Sequence, residues 1–202
     1  MIIAVPLGIL SAVKRNSVID YAYRLGALLG VSMPNFWLGL LLIIMFSLKL
    51  NLFSVTGYGE LKHLVLPSVT LGIGMVSITT RIMRVGILEV LHQDYILTAR
   101  SKGLTEKEII WRHALPNALI PVVTIIGLQF GHLLGGSIIV AAVFTWPGIG
   151  KLLMDSILAK DIPVVQGCVL LMATMYTLVN LLVDLSYALL NPKIRQRGYL
   201  DA

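Results

Sequence analysis

Charge is scarce in this chain. Asp, Glu, Lys and Arg make up only 13% of its 202 residues, about half of what a soluble domain of that length carries. A protein so poorly charged, 57% apolar and with a mean hydropathy of +0.88, cannot dissolve its own surface in water, and the composition points to an integral membrane protein. Acidic residues are the rarer sign, 10 against 16 basic ones. The resulting charge of +6 reads as membrane topology and not as nucleic-acid binding, because no Lys/Arg cluster alternates with aromatics. Cysteine is nearly absent. Cys168 stands alone in an apolar run, where it serves as a small lipid- or helix-facing residue and says nothing of redox compartment. The sequence also lacks HExxH, GxSxG and paired intramembrane aspartates, which excludes the usual intramembrane enzymes and leaves no catalytic residue and no metal ligand set to assign. No repeated halves are evident, and Asp184 is the lone acid inside an expected span, which argues against an ion-coupled secondary transporter.

What is present is a series of hydrophobic runs. Residues 25–48 carry no charge, enough to cross a hydrocarbon core of about 30 Å at 1.5 Å per residue. A second run, 64–80, is expected to continue as helix through Arg81 and Arg84. A third lies in 114–146, with His132 its only ionisable group, and a fourth in 162–183, extending past Asp184 to a stop at Asn191-Pro192. Residues 1–13 are apolar but reach only about 20 Å as a helix. They lack a signal peptide's basic start and cleavage site, and are expected to be the end of a membrane helix whose beginning is absent. The expected architecture is therefore all-α and polytopic, with about five spans, the first partial.

Orientation follows from the basic residues. Lys14, Arg15, Arg24, Arg81, Arg84, Arg100, Lys102, Lys107, Arg112, Lys193, Arg195 and Arg197 fall on one side, and Lys49, Lys62, Lys151 and Lys160 on the other. The first side, with segment 94–116 and the C-terminal tail, is expected to be cytoplasmic.

Segment 94–116 is polar and ordered in its local grammar. Residues 95–102 read as a short helix with Arg100 and Lys102 near its end, where cations complement the dipole. Gly103 stands where a left-handed residue would stop it. Thr105 and Glu108 form a capping box for a second helix, with Leu104 and Ile109 as its hydrophobic staple. Such a hairpin holds one shape and suits docking to a soluble partner, although a solvated amphipathic hairpin would look similar.

Other features stay open between two roles. Gly127, Gly131 and Gly135 repeat every four residues on the third full span, which permits close helix packing within the chain or against a partner, or a lining for a solute path; Gly26 and Gly30 are a weaker version. Gln129 and His132 share a face and are costly in hydrocarbon unless they meet protein or water. Arg81 and Arg84 are expected to snorkel to the interface, and Asp184 to pair with one of them. Pro34, Pro116 and Pro121 read as kinks or entry points. FTWPGIG reads as a turn on the other side, followed by an amphipathic helix over 151–159; it is either a docking or gating element or an interfacial anchor through Trp146.

At this point TARSKGLTEKEIIWRHALPNALIPV resembles the EAA loop of bacterial ABC importer permeases. That pattern has a Gly six residues after a Glu and a Leu-Pro twelve residues beyond the Gly. Here these fall on Gly103 and Leu115-Pro116, with Ala99 as the matching alanine, while Leu97 and Thr98 replace the acid and the next alanine and His113 replaces an aliphatic residue. PLGILSAVKRNS, SMPNFWLGLLL, NALIPVVTIIGLQ, FTWPGIGKLL and NLLVDLSYALLNPKIR are similar to blocks of the dipeptide/oligopeptide/nickel branch of that family. The resemblance implies a type I ABC-importer transmembrane domain over 1–202, containing a coupling loop at 92–116, in a bacterial cytoplasmic (inner) membrane. It implies a non-catalytic permease subunit that binds no cofactor itself, ATP-Mg being held by partner subunits. It implies as partners a cytoplasmic ABC ATPase, a second homologous permease, an extracytoplasmic substrate-binding protein and membrane lipid. Tyr95, Thr98, Ala99, Gly103, Leu104, Leu115 and Pro116 are the implied coupling residues. Peptides are the expected cargo, with nickel and glutathione-like solutes handled by similar subunits. The family's further N-terminal helix and extracytoplasmic segment are expected to be lacking, an expectation that keeps a non-transporting assembly subunit in play as well as the secondary transporter.

Overall fold

The computed structural model describes residues 1–54 and 59–190, and leaves aside the side chains of 130–132, 134–136, 183, 184 and 186–190. Among the described residues every regular element is helical. Helix α1 (Ala4–Val13) and α2 (Val18–Ser32) are joined by a tight turn through Asn16, whose φ of 63° is one that Asn tolerates better than most residues. Then come α3 (Asn35–Leu42), running on into wide π-helical turns (Ile43–Lys49), and the long α4 (Leu61–Leu91). Short helices α5 (Asp94–Ser101) and α6 (Glu106–Glu108) follow. From α6 the chain passes through π-helical turns (Ile109–Ala114) into α7 (Leu115–Val143), and ends with α8 (Ile149–Leu158) and α9 (Ile162–Leu190).

Three helical stretches, Leu61–Leu91, Glu106–Gln129 and Ile162–Leu182, are long and apolar enough to cross a membrane, and α1 is a shorter apolar helix. The uncharged run over 25–48 is not one continuous helix. It breaks between α2 and α3, which are bent by 107° to one another. Pro34 is the cause: its ring forces the preceding Met33 out of the helical region, to φ −82° and ψ 126°, and it offers no N–H to continue the ladder. The kink expected at Pro34 is therefore present, as a near right-angle turn.

Polarity is arranged inside out. Leu25, Leu28, Leu29, Leu170, Leu178 and Leu182 are exposed, whereas Ser11, Asp20, Thr70, Thr79, Thr80 and Gln129 are buried. Only 6% of the most apolar stretch of α9 is buried within the chain. In lipid there is no hydrophobic gain from helix contact, so small and hydrogen-bonding residues make the interior.

The centre is α4 against α7, with Met83 and Ile87 packed on Ala114, Ala118 and Val122, and Ala12 of α1 closing the cluster. Small residues set the approach. A Cβ on Gly86 would lie 3.3 Å from that of Ala118, and one on Gly8 would lie 2.6 Å from the Cβ of Met83 and 3.0 Å from the Thr80 carbonyl oxygen. Gly8→Ala is accordingly expected to cost about 1–3 kcal/mol through overpacking, seen as a lowered unfolding midpoint in detergent. Gly26→Ala, which meets nothing within 4 Å, should leave that midpoint unchanged or raise it, since Ala is the better helix former. An unaltered midpoint for Gly8→Ala would show that α1 does not pack this tightly on α4.

Candidate functional site: a braced hairpin on a buried polar frame

The hairpin of α5 and α6 forms as its local chemistry demands. Gly103 has φ +80°, and its N–H closes the turn on the Arg100 carbonyl at 2.9 Å. Thr105 Oγ1 accepts from the Glu108 N–H at 3.3 Å while the Glu108 carboxylate accepts from the Thr105 N–H at 2.9 Å, the reciprocal box in full. Ile96, Ala99 and Ile109 are buried against one another, with Leu104 packed on them. Arg100 donates to both carboxylate oxygens of Glu106, at 2.7 and 3.2 Å. Asn117 at the base donates to the Tyr95 hydroxyl at 3.3 Å. The two arms are thus braced by an apolar contact, an ion pair and a hydrogen bond across the foot.

The implied coupling residues do not all face outward. Tyr95, Thr98, Gly103 and Pro116 are exposed and Leu104 and Leu115 half-buried, while Ala99 is buried in the seam. Ala99 thus meets any partner only through the surface that it shapes. A Cβ at Gly103 would meet nothing within 4 Å, so the turn has free space around it and its constraint is conformational. Leu97, where the loop pattern has an acid, is 56% exposed, and Trp111 is exposed on the second arm. Together they give the hairpin an apolar outer surface that its polar composition concealed.

The second arm is continuous with the membrane. Ile109 donates to the Thr105 carbonyl, the widened turns follow, and the Leu115 N–H reaches the Ile110 carbonyl five residues back. Pro116 explains the widening, because it has no N–H for the Arg112 carbonyl. The chain then runs on as α7 without a break.

Beneath the hairpin lies a polar frame that sequence reasoning missed. Asp20 is fully buried and accepts from Arg84 through Nε at 2.8 Å and Nη2 at 2.9 Å. It also accepts from Ser11 Oγ at 2.6 Å and from the Asn16 N–H at 3.1 Å. This corrects the expectation for Arg84: it does not snorkel but closes a bidentate pair that ties α1, α2 and α4 together. Arg81 is exposed, as expected. The local signal for Asp20 was available, since Ser17 caps α2 by accepting from the Asp20 N–H, but nothing local named its partner 64 residues away. The side chain of Asp184 lies outside the described residues.

Higher in the bundle, a cavity of about 320 Å³ opens where α2 breaks, lined by Met33, Asn35, Gly74, Ile78 and Gln129. Gln129 is buried, with Nε2 donating to Thr79 Oγ1 at 3.3 Å, so it both borders the cavity and bonds across to α4. Gly127 is buried beside it, whereas the surroundings of Gly131, His132 and Gly135 lie outside the described residues. At the far end, Trp146 folds the FTWPG turn back, its N–H on the Ala141 carbonyl at 2.8 Å. Gly150 at the start of α8 fits within 3.0 Å of Ile138 by the same measure as Gly8. Among the described residues no group of three or more His, Cys, Asp or Glu is placed to hold a metal.

The geometry is that of a braced helical hairpin continuous with a long apolar helix. The profile described as binding-protein-dependent transport system inner membrane component matches residues 4–196. The chain is 44% identical over 226 residues to a dipeptide transport system permease protein of Escherichia coli (strain K12), covering 96% of this chain and 67% of that relative. It is 47% identical over 197 residues to a glutathione transport system permease protein of Pectobacterium atrosepticum, covering 98% and 64%. The corresponding glutathione permease of Escherichia coli (strain K12) is 45% identical over the same shares. The chain spans about two thirds of the length of the curated relatives it matches. It belongs to the family of binding-protein-dependent transport system inner membrane components.

Proposed function

We propose that this chain is the membrane permease subunit of an ATP-driven importer of peptides, and that hairpin 94–116 is its docking element for a cytoplasmic ATPase. One observation carries the proposal. The braced hairpin shares an uninterrupted helical backbone with α7, so a force applied at its turn passes into the membrane bundle without crossing a flexible linker. A permease does no chemistry of its own, and ATP-Mg belongs to the ATPase. The charge asymmetry of the loops supports a cytoplasmic hairpin and C-terminus, in a bacterial inner membrane. A second permease of the same family completes the path, and a binding protein delivers cargo from the other side, close to the FTWPG turn. Peptide cargo is favoured because the relatives named for transport carry a dipeptide or glutathione, itself a short peptide.

The test is uptake of a labelled dipeptide or of glutathione by cells or proteoliposomes holding the chain with its partner permease and ATPase. Uptake is expected to need both the ATPase and ATP, and to survive collapse of the proton gradient when ATP is supplied. Uptake driven by an ion gradient with the ATPase removed would instead support a secondary transporter. An assembled complex that moves no solute would support the assembly-subunit reading.

A further inference from the structure

The wall shared by α2 and α4 at the hairpin end of the bundle carries cations that coupling does not use. A groove of about 440 Å³ there has Arg24, Arg81 and Arg84 on its walls, and no carboxylate lines it among the described residues. Asp20, which pairs with Arg84, lies wholly buried behind it. Among the described residues, three guanidiniums against one carboxylate leave two positive charges on the groove. Two of the three are held in place: Arg84 by its paired bonds to Asp20, and Arg24 by lying 3.8 Å from Asp20 and 4.5 Å over the Tyr21 ring. Arg81 has no bonding partner among the described residues and is exposed. One and two helical turns further along α2, Leu28 and Val31 line the same groove and are 60% and 50% exposed. The groove is therefore amphipathic along its length, cationic toward the hairpin and apolar away from it.

We propose that this groove is a binding site for an anionic phospholipid of the leaflet on the hairpin side, with its phosphate among the three arginines and an acyl chain along Leu28 and Val31. The charge selects the occupant. A surplus of fixed cations beside a membrane helix end attracts an anionic headgroup, while a zwitterionic lipid brings its own cation to the same place. The site rests on the chain's being a membrane protein, and not on which solute it carries.

The experiment uses the chain purified in detergent with its partner subunits and incubated with phosphatidylglycerol or phosphatidylcholine, bound lipid being counted by native mass spectrometry. Phosphatidylglycerol is expected to be retained about tenfold better, and Arg24→Gln with Arg81→Gln should bring it down to the phosphatidylcholine level. Both residues are exposed enough for the fold to survive, which is checked by an unchanged elution profile. Arg24→Lys with Arg81→Lys should restore most of the preference, separating charge from shape. Equal retention of the two lipids by the wild type would overturn the proposal. So would displacement of the lipid by inorganic phosphate at matched concentration, because the apolar half would then contribute nothing. Loss of the second permease from the Gln variant, with lipid binding intact, would show instead that the cations meet a protein carboxylate.

Discussion

Gly103→Asp is expected to leave the chain folded in the membrane and to abolish ATP-driven uptake. The turn needs a left-handed residue, with φ +80°, and a side chain there costs at most about 1–2 kcal/mol in backbone strain, less for Asp than for most residues. That alone would not unfold the hairpin, which keeps its capping box, its Ile96–Ala99–Ile109 seam and its Arg100–Glu106 pair. The larger effect is on docking: the space around the turn is empty in the isolated chain, and it is the space an ATPase cleft would occupy. Co-purification of the ATPase should fall at least tenfold while the amount of chain in the membrane stays near the wild-type level. Gly103→Asn tests the side chain without its charge. Asn and Asp both enter the left-handed region more readily than other residues, and Asn still projects a side chain, so it too should lose the ATPase. An Asp variant that still captures the ATPase in full would sink the docking role of the turn, whatever else the chain does.

Asp20→Asn is expected to be the most damaging single change to stability. It removes the charge that balances a guanidinium held between helices, and breaking a buried pair from one side costs about 3–5 kcal/mol. Arg84 would be left facing its former partner's neutral amide, with the Ser11 and Asn16 bonds disturbed as well. The steady-state amount in the membrane should fall severalfold, with a clearly lower unfolding midpoint in detergent. Adding Arg84→Met should recover much of the loss, because an apolar pair of similar volume is often as stable as the ion pair it replaces. If Asp20→Asn alone unfolds at the wild-type midpoint, the frame is not holding α1, α2 and α4 together.

These two sites differ in how plainly the sequence announces them. The hairpin is written locally. A capping box is a three-residue relation and a left-handed glycine a one-residue one, so Gly103, Thr105, Glu108 and the Leu104–Ile109 staple all stand where neighbouring residues place them. The hydrophobic runs likewise became α4, α7 and α9, since twenty apolar residues have few other options. Pro34 announced a break but not its angle, which depends on how α3 finds room against α4 and α7. The Asp20–Arg84 pair could not be read at all: the arginine looked like one more interfacial cation, and its partner lies across a helical hairpin and a bend. Ala99 shows the opposite error. As part of a docking pattern it suggested a surface, but the 3.6-residue period turns it inward, onto Ile96 and Ile109.

The unbroken run of helix from Glu106 to Gln129 has a mechanical consequence. The 24 residues up to Gln129 cover roughly 36 Å of a helix that continues to Val143, so rocking the hairpin end by about 10° around a fixed foot would swing Gln129 by roughly 6 Å. Gln129 borders the cavity at the broken span. A lever of this length would turn a small rotation at the hairpin into a larger displacement beside that cavity, which makes the stroke a matter of gearing and not of large movement at the point of contact.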